Sequence, residues 1–123
     1  MKSILIAISA PDLRARFSDI LSQAGYRVIA AESGESAIEL AKSVNPDLVL
    51  MAIVMPTLDG LQTASRLRAV LSFPIPIVLL GTITPIGIDE KPLASLVDGY
   101  LNLDVSSEQL LACVANHLGA PTV

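Results

Sequence analysis

Few residues in this chain are equipped for chemistry, and their spacing limits the chemistries open to them. Two hydroxyls, Ser9 and Thr82, follow apolar runs, and two carboxylates, Asp12 and Asp104, stand just beyond such runs. A hydroxyl becomes a nucleophile only with a base beside it, and neither Ser9 nor Thr82 has a neighbouring base. Phosphoryl transfer to a carboxylate needs a divalent cation, held by further oxygen ligands, against the transferring charge, and an acidic pair would supply them. No such pair accompanies Asp12 or Asp104. The single histidine, His117, falls near the end of the chain and reads as a surface residue that favours a helix C-terminus when protonated. The single cysteine, Cys113, excludes an internal disulfide and a cysteine-based metal cluster and suits a reducing cytoplasm. No glycine-rich loop follows an apolar run, so a nucleotide phosphate has no cradle. These residues point to no enzyme activity, no metal and no cofactor.

The elements that must position these groups come from hydrophobic periodicity. Apolar runs at 3–8, 27–31, 47–52, 76–81 and 99–103 have strand length, and most are apolar throughout, as parallel strands covered on both faces require. Between the first two, Leu13, Phe17, Ile20, Leu21 and Ala24 recur at helical spacing, with Gly25 as a stop. Further helices are predicted over 34–44, 60–71 and 107–118. Pro11 suits a first helical position. Asp59 with Gln62, and Ser106 with Gln109, read as capping boxes. Pro85, Gly87 and Pro92 break the pattern over 82–97, so a short helix near 90–96 after an irregular loop is expected. The alternation predicts an open α/β sandwich with right-handed crossovers.

Composition narrows the class. One domain over 1–119, with 120–123 as a tail or linker, fits the 123 residues. Hydrophobic residues make up 52%, yet there are only two Phe, two Tyr and no Trp, so the core must be aliphatic. A net charge of −4, with Lys and Arg scattered, gives no basic stripe for nucleic acid. The apolar run Ile4–Ile8 is too short for a signal-peptide core, and nothing approaches the length that crosses a bilayer. A cytoplasmic location, away from the membrane, is expected.

Several signposts then occur in order: Pro11-Asp12-Leu13-Arg14, Ala24-Gly25-Tyr26, Ser33-Gly34-Glu35, Pro46-Asp47-Leu48-Val49, Met55-Pro56, Asp59-Gly60, Pro76-Ile77 and Asp98-Gly99-Tyr100-Leu101. In this order and spacing, from Ile4 to about Leu118, the chain resembles the receiver domains of two-component response regulators. The resemblance implies a CheY-like (βα)₅ three-layer sandwich, with a five-stranded parallel sheet in the order 2-1-3-4-5 and a fourth helix that is short or irregular. Where receivers carry two acids that hold Mg²⁺, this chain has Ile8 and Ser9; where they carry the phosphoryl-accepting aspartate, it has Ala52. The hydroxyl residue that ends the fourth strand is replaced by Gly81, with Thr82 one place along, and the lysine after the fifth strand by Leu103, followed by Asp104 in place of a proline. These changes make sense as a set. Clustered carboxylates need a cation to offset their repulsion, and a lysine left behind without them would be an uncompensated, partly buried charge. Asp59 is retained where a helix cap alone, worth roughly 1 kcal/mol, accounts for it.

The resemblance thus implies a non-phosphorylatable signalling module of a bacterial two-component or phosphorelay system, acting through a protein partner, either another signalling protein or its own effector domain. The candidate surface combines Ile83, Ile86 and Ile88 with Tyr100, which matches the receivers' aromatic switch position, and with Gln109, Ala112, Cys113 and Asn116. The last four share one small, uncharged face of the final helix, opposite Leu110, Leu111, Val114 and Leu118. A face without charges permits a homodimer. Two other readings stay open: a small-ligand sensor that uses the neutralised pocket with its Ser9 and Thr82 hydroxyls, and an active phosphoreceiver with displaced residues.

Overall fold

The five apolar runs form parallel strands β1 (Ser3–Ala7), β2 (Arg27–Ala31), β3 (Leu48–Ala52), β4 (Ile77–Gly81) and β5 (Gly99–Asn102). They hydrogen-bond in the order β2-β1-β3-β4-β5, as the resemblance implies. The computed structural model describes residues 2–52, 60–70, 75–81, 99–102 and 105–118, without the side chains of Leu61, Val70 and Tyr100. Helices α1 (Pro11–Gln23), α2 (Gly34–Val44) and α3 (Gly60–Val70), and a C-terminal helix (Ser107–Leu118), complete the described elements. The short helix expected near 90–96 and the Asp59 cap lie outside them.

Helix packing explains why the strands read as continuous apolar runs. α2 packs against α3, and α1 against the C-terminal helix. With helices on both sides, β3 and β4 are buried at every residue and β1 at every residue but its first. The edge strand β2 exposes Arg27 and Ala30. The core is aliphatic, as composition required: Ile4, Ile6, Leu48, Leu50, Ile77 and Leu79 are wholly buried, and Phe17 and Tyr26 are its aromatic members among the described residues. Burial pushes the Tyr26 phenol above its usual range.

Strand ends differ from the apolar runs by one residue, for local reasons. Ile8 lies past β1 yet still donates its N–H to Ala31 O at 3.1 Å. Asp47 precedes β3 and holds it by a reciprocal pair: its N–H donates to Ser3 O at 2.8 Å, and its carboxylate accepts from Ser3 N at 2.7 Å. Pro76 has no N–H to give, so only its carbonyl joins, accepting from Val49 N at 3.0 Å.

The caps follow the sequence signals. Pro11 opens α1. Ser106 Oγ accepts from Gln109 N at 3.1 Å while Gln109 Oε1 accepts from Ser106 N at 3.2 Å, a complete capping box. At the end of α1, Gly25 takes φ 101°, its N–H donating to Ser22 O and that of Tyr26 to Leu21 O. This is a Schellman closure, and Tyr26 and Leu21 are both buried in the core. Gly25→Ala would force a Cβ into that conformation and is expected to cost about 1–2 kcal/mol, a loss of several degrees in thermal midpoint. A melt indistinguishable from wild type would show that the closure contributes nothing. A second helix stop went unread in the sequence: Asn45 ends α2 in the left-handed region, at φ 46° and ψ 67°, just before Pro46.

Candidate functional site at the sheet rim

In an open parallel sheet the crevice forms at the carboxyl ends of the strands, where the strand order reverses. Here the reversal falls between β1 and β3. The register sets Ala7 beside Met51 and Ala52 beside Leu80, with Gly81 beside Asn102, so Ile8, Ala52 and Gly81 follow or end three adjacent strands at one rim. Ile8 is 1% exposed and Ala52 8% exposed, and Gly81 is buried. Of the residues that the sequence grouped as a neutral pocket, Ile8, Ala52 and Gly81 share this rim, with half-buried Ser9 after Ile8. Thr82 and Leu103 lie outside the described residues, as does Asp104.

Ile8 is packed as a core residue. A buried methyl at Ala52 and a buried butyl group at Ile8 present no oxygen to a cation or a phosphoryl group. No cluster of three metal-ligating side chains occurs among the described residues. Asp47 lies at the opposite end of β3 and is used in sheet pairing.

One rim group was missed from sequence. Arg14, in the second turn of α1, turns back over the strand end: its Nη1 donates to Ile8 O at 2.9 Å and to Ser9 O at 3.3 Å. The signal was available, because helical side chains lean toward their own N-terminus and Pro11 fixes where this helix starts. Arg16 makes a parallel link, its Nη2 donating to Val105 O at 2.9 Å, which ties α1 to the segment leading into the C-terminal helix. The rim therefore carries a guanidinium that its loop residues alone did not reveal.

On the C-terminal helix, Gln109, Ala112 and Asn116 are exposed, and Leu110 and Val114 are buried, as the helical spacing required. Cys113 is half-buried at the margin of the core, and burial pushes its thiol above the usual range, which makes it a weak nucleophile at neutral pH. His117 is also half-buried, more enclosed than a surface residue. Ile83, Ile86 and Ile88, and the Tyr100 side chain, lie outside the described residues.

The fold and the rim define a doubly wound α/β domain of the CheY type. Comparison with known proteins places it further: the model of the response regulator receiver domain matches residues 4–115, and the chain belongs to that family. It is 35% identical over 83 residues to protein PilH of Pseudomonas aeruginosa, covering 67% of this chain and 69% of that protein. It is 46% identical over 68 residues to the positive alginate biosynthesis regulatory protein of the same organism, covering 53% of this chain but only 27% of the other. Among solved structures, a two-component response regulator from Clostridium difficile superposes with a TM-score of 0.87 at 27% identity, over 96% of both chains. The chain is thus a receiver domain of two-component signalling, a class of signalling module that works through protein partners such as kinases and effector domains. Among the described residues no helix is long and apolar enough to cross a membrane.

Proposed function

We propose that this receiver domain takes up no phosphoryl group and signals instead through protein contacts of its C-terminal helix and the neighbouring fifth strand. The observation that carries this reading is the rim itself: Ala52, 8% exposed, ends β3 where the family keeps its acceptor aspartate, and Ile8, 1% exposed, stands where it keeps an acid. Phosphoryl transfer is positioning plus charge neutralisation, and these side chains offer neither an attacking oxygen nor a metal ligand.

The exposed, uncharged side chains Gln109, Ala112 and Asn116 supply the outer face; Ile83, Ile86, Ile88 and the Tyr100 side chain, which the sequence adds to it, lie outside the described residues. A solvated helix usually carries Lys and Glu there, and depletion of charge marks the centre of protein interfaces. The partner is a second copy or another signalling protein, in the cytoplasm, without metal, cofactor or nucleic acid.

Two measurements test this. Intact mass after incubation with Mg²⁺ and a small-molecule phosphodonor is expected to be unchanged, and a phosphoryl adduct would overturn the reading. Sedimentation of the wild-type chain, alone and with candidate kinases, is expected to show a complex that Ala112→Glu weakens at least tenfold, since a buried unpaired charge costs more than about 1.4 kcal/mol. A bound metabolite in native mass spectrometry, with no protein complex, would favour the ligand-sensor reading.

A further inference from the structure

A charged side chain that is partly withdrawn from water calls for a counter-charge, and Arg14 has none among the described residues. Arg14 is half-buried as a residue, and its guanidinium is held by two Nη1 bonds, to Ile8 O at 2.9 Å and to Ser9 O at 3.3 Å. Those carbonyls orient the group without cancelling its charge. The ion pair formed among the described residues is Lys42 with Glu39, on the exposed surface of α2. Of the described carboxylates next to the rim in the chain, Asp12 and Glu32 are exposed and neither is paired with Arg14; Asp104 lies outside the described residues.

Guanidinium geometry decides what fits. Of its five N–H donors, the two on Nη1 face the carbonyls, which leaves the Nη2–Nε edge as a planar fork. That fork matches two oxygens of a carboxylate or phosphate, in the stronger class of hydrogen bond. Ile8, whose carbonyl holds the guanidinium, is itself packed in the core, and an apolar neighbour lowers the local dielectric, so an anion there is held more strongly than on open surface. We propose that the rim is an oxyanion site centred on Arg14, occupied either by a free phosphate-like anion or by a carboxylate from an acidic segment of a protein partner. Where two acids would hold a cation after the first strand, this chain has Ile8 and Ser9, with the Arg14 guanidinium on their carbonyls. The proposal rests on the reading of a rim without metal-binding acids and adds the class of ligand.

The test follows the Arg14 Nε–H signal and the backbone amides of Ser9 and Ala10 by NMR, at constant ionic strength. Inorganic phosphate is titrated first, then a capped tetraglutamate peptide, then Mg²⁺. Saturable shifts confined to these signals, lost in Arg14→Met and at least tenfold weaker in Arg14→Lys, are expected. Arg14→Lys keeps the charge should Arg14→Met fail to fold. Tighter binding of phosphate identifies a free anion, and tighter binding of the peptide identifies a partner carboxylate; both support the site. Shifts that are linear, or shared equally by the other arginines, would overturn it. So would movement of the Arg14 Nε–H signal in Asp104→Asn without added anion, since an internal carboxylate would then fill the fork. Saturable Mg²⁺ shifts at Ser9 would instead overturn the metal-free reading beneath it, so the two failures are distinct.

Discussion

An Ala52→Asp variant, which returns a carboxylate to the end of β3, is expected to be less stable at pH 7 than at pH 4. The native side chain is 8% exposed and belongs to the same core cluster as Ile8 and Leu80. A carboxyl placed there loses water and gains no metal, and the Arg14 guanidinium is held over Ile8 and Ser9 rather than over Ala52, so its pKa in the folded state rises above the unfolded value of about 3.9. The sign follows directly. A raised carboxyl pKa leaves stability intact below the unfolded pKa and removes it as pH climbs toward the folded one. An upward shift of ~2 units corresponds to a loss of about 3 kcal/mol at neutral pH. Chemical denaturation of variant and wild type at the two pH values checks this. A variant as stable as wild type at pH 7 would mean that the rim still solvates or neutralises a negative charge.

The second large effect belongs to the sheet. Leu50 is wholly buried in the central strand, paired with Ile6 of β1 on one side and Val78 of β4 on the other. It sits in a layer that helices cover from both sides, so surrounding atoms have little freedom to close a cavity. Leu50→Ala is therefore expected to cost about 3–4 kcal/mol, a large part of the 5–15 kcal/mol typical of a domain, and to lower the thermal midpoint by roughly 10 °C or more. Denaturant titration with an unchanged slope would attribute the loss to the native state. A cost near 1 kcal/mol would show that the core relaxes to fill the gap.

The sheet and helices were legible because this chain obeys one rule at a time. Buried parallel strands need apolar side chains on both faces, and Leu48–Ala52 and Ile77–Gly81 supply them without interruption. The span of helix α2 was readable over 34–44, and the structure adds the cap at its start, where Ser33 Oγ accepts from Ser36 N at 3.1 Å. That Ala52 offers no carboxylate at the end of β3 was legible in residue type alone, because no packing turns an alanine into an aspartate. Two features escaped. Asn45 carries the left-handed turn that glycine usually takes, and its signal was the proline that follows. Arg14 escaped because the rim was read from the residues that end each strand, whereas a helix side chain leaning backward reaches the same place from the next element. Tertiary geometry, rather than local pattern, decides which charges meet at a strand edge.

The central claim is that this receiver domain does not perform receiver chemistry. Its most direct test is a backbone amide NMR titration with Mg²⁺, followed by beryllofluoride, which mimics the phosphoryl group. The expected result is no saturable shift at Ala52, Gly81 or Tyr100 with either addition. Saturable shifts at those amides would contradict the claim and mean that a metal and phosphoryl site has been rebuilt from other residues.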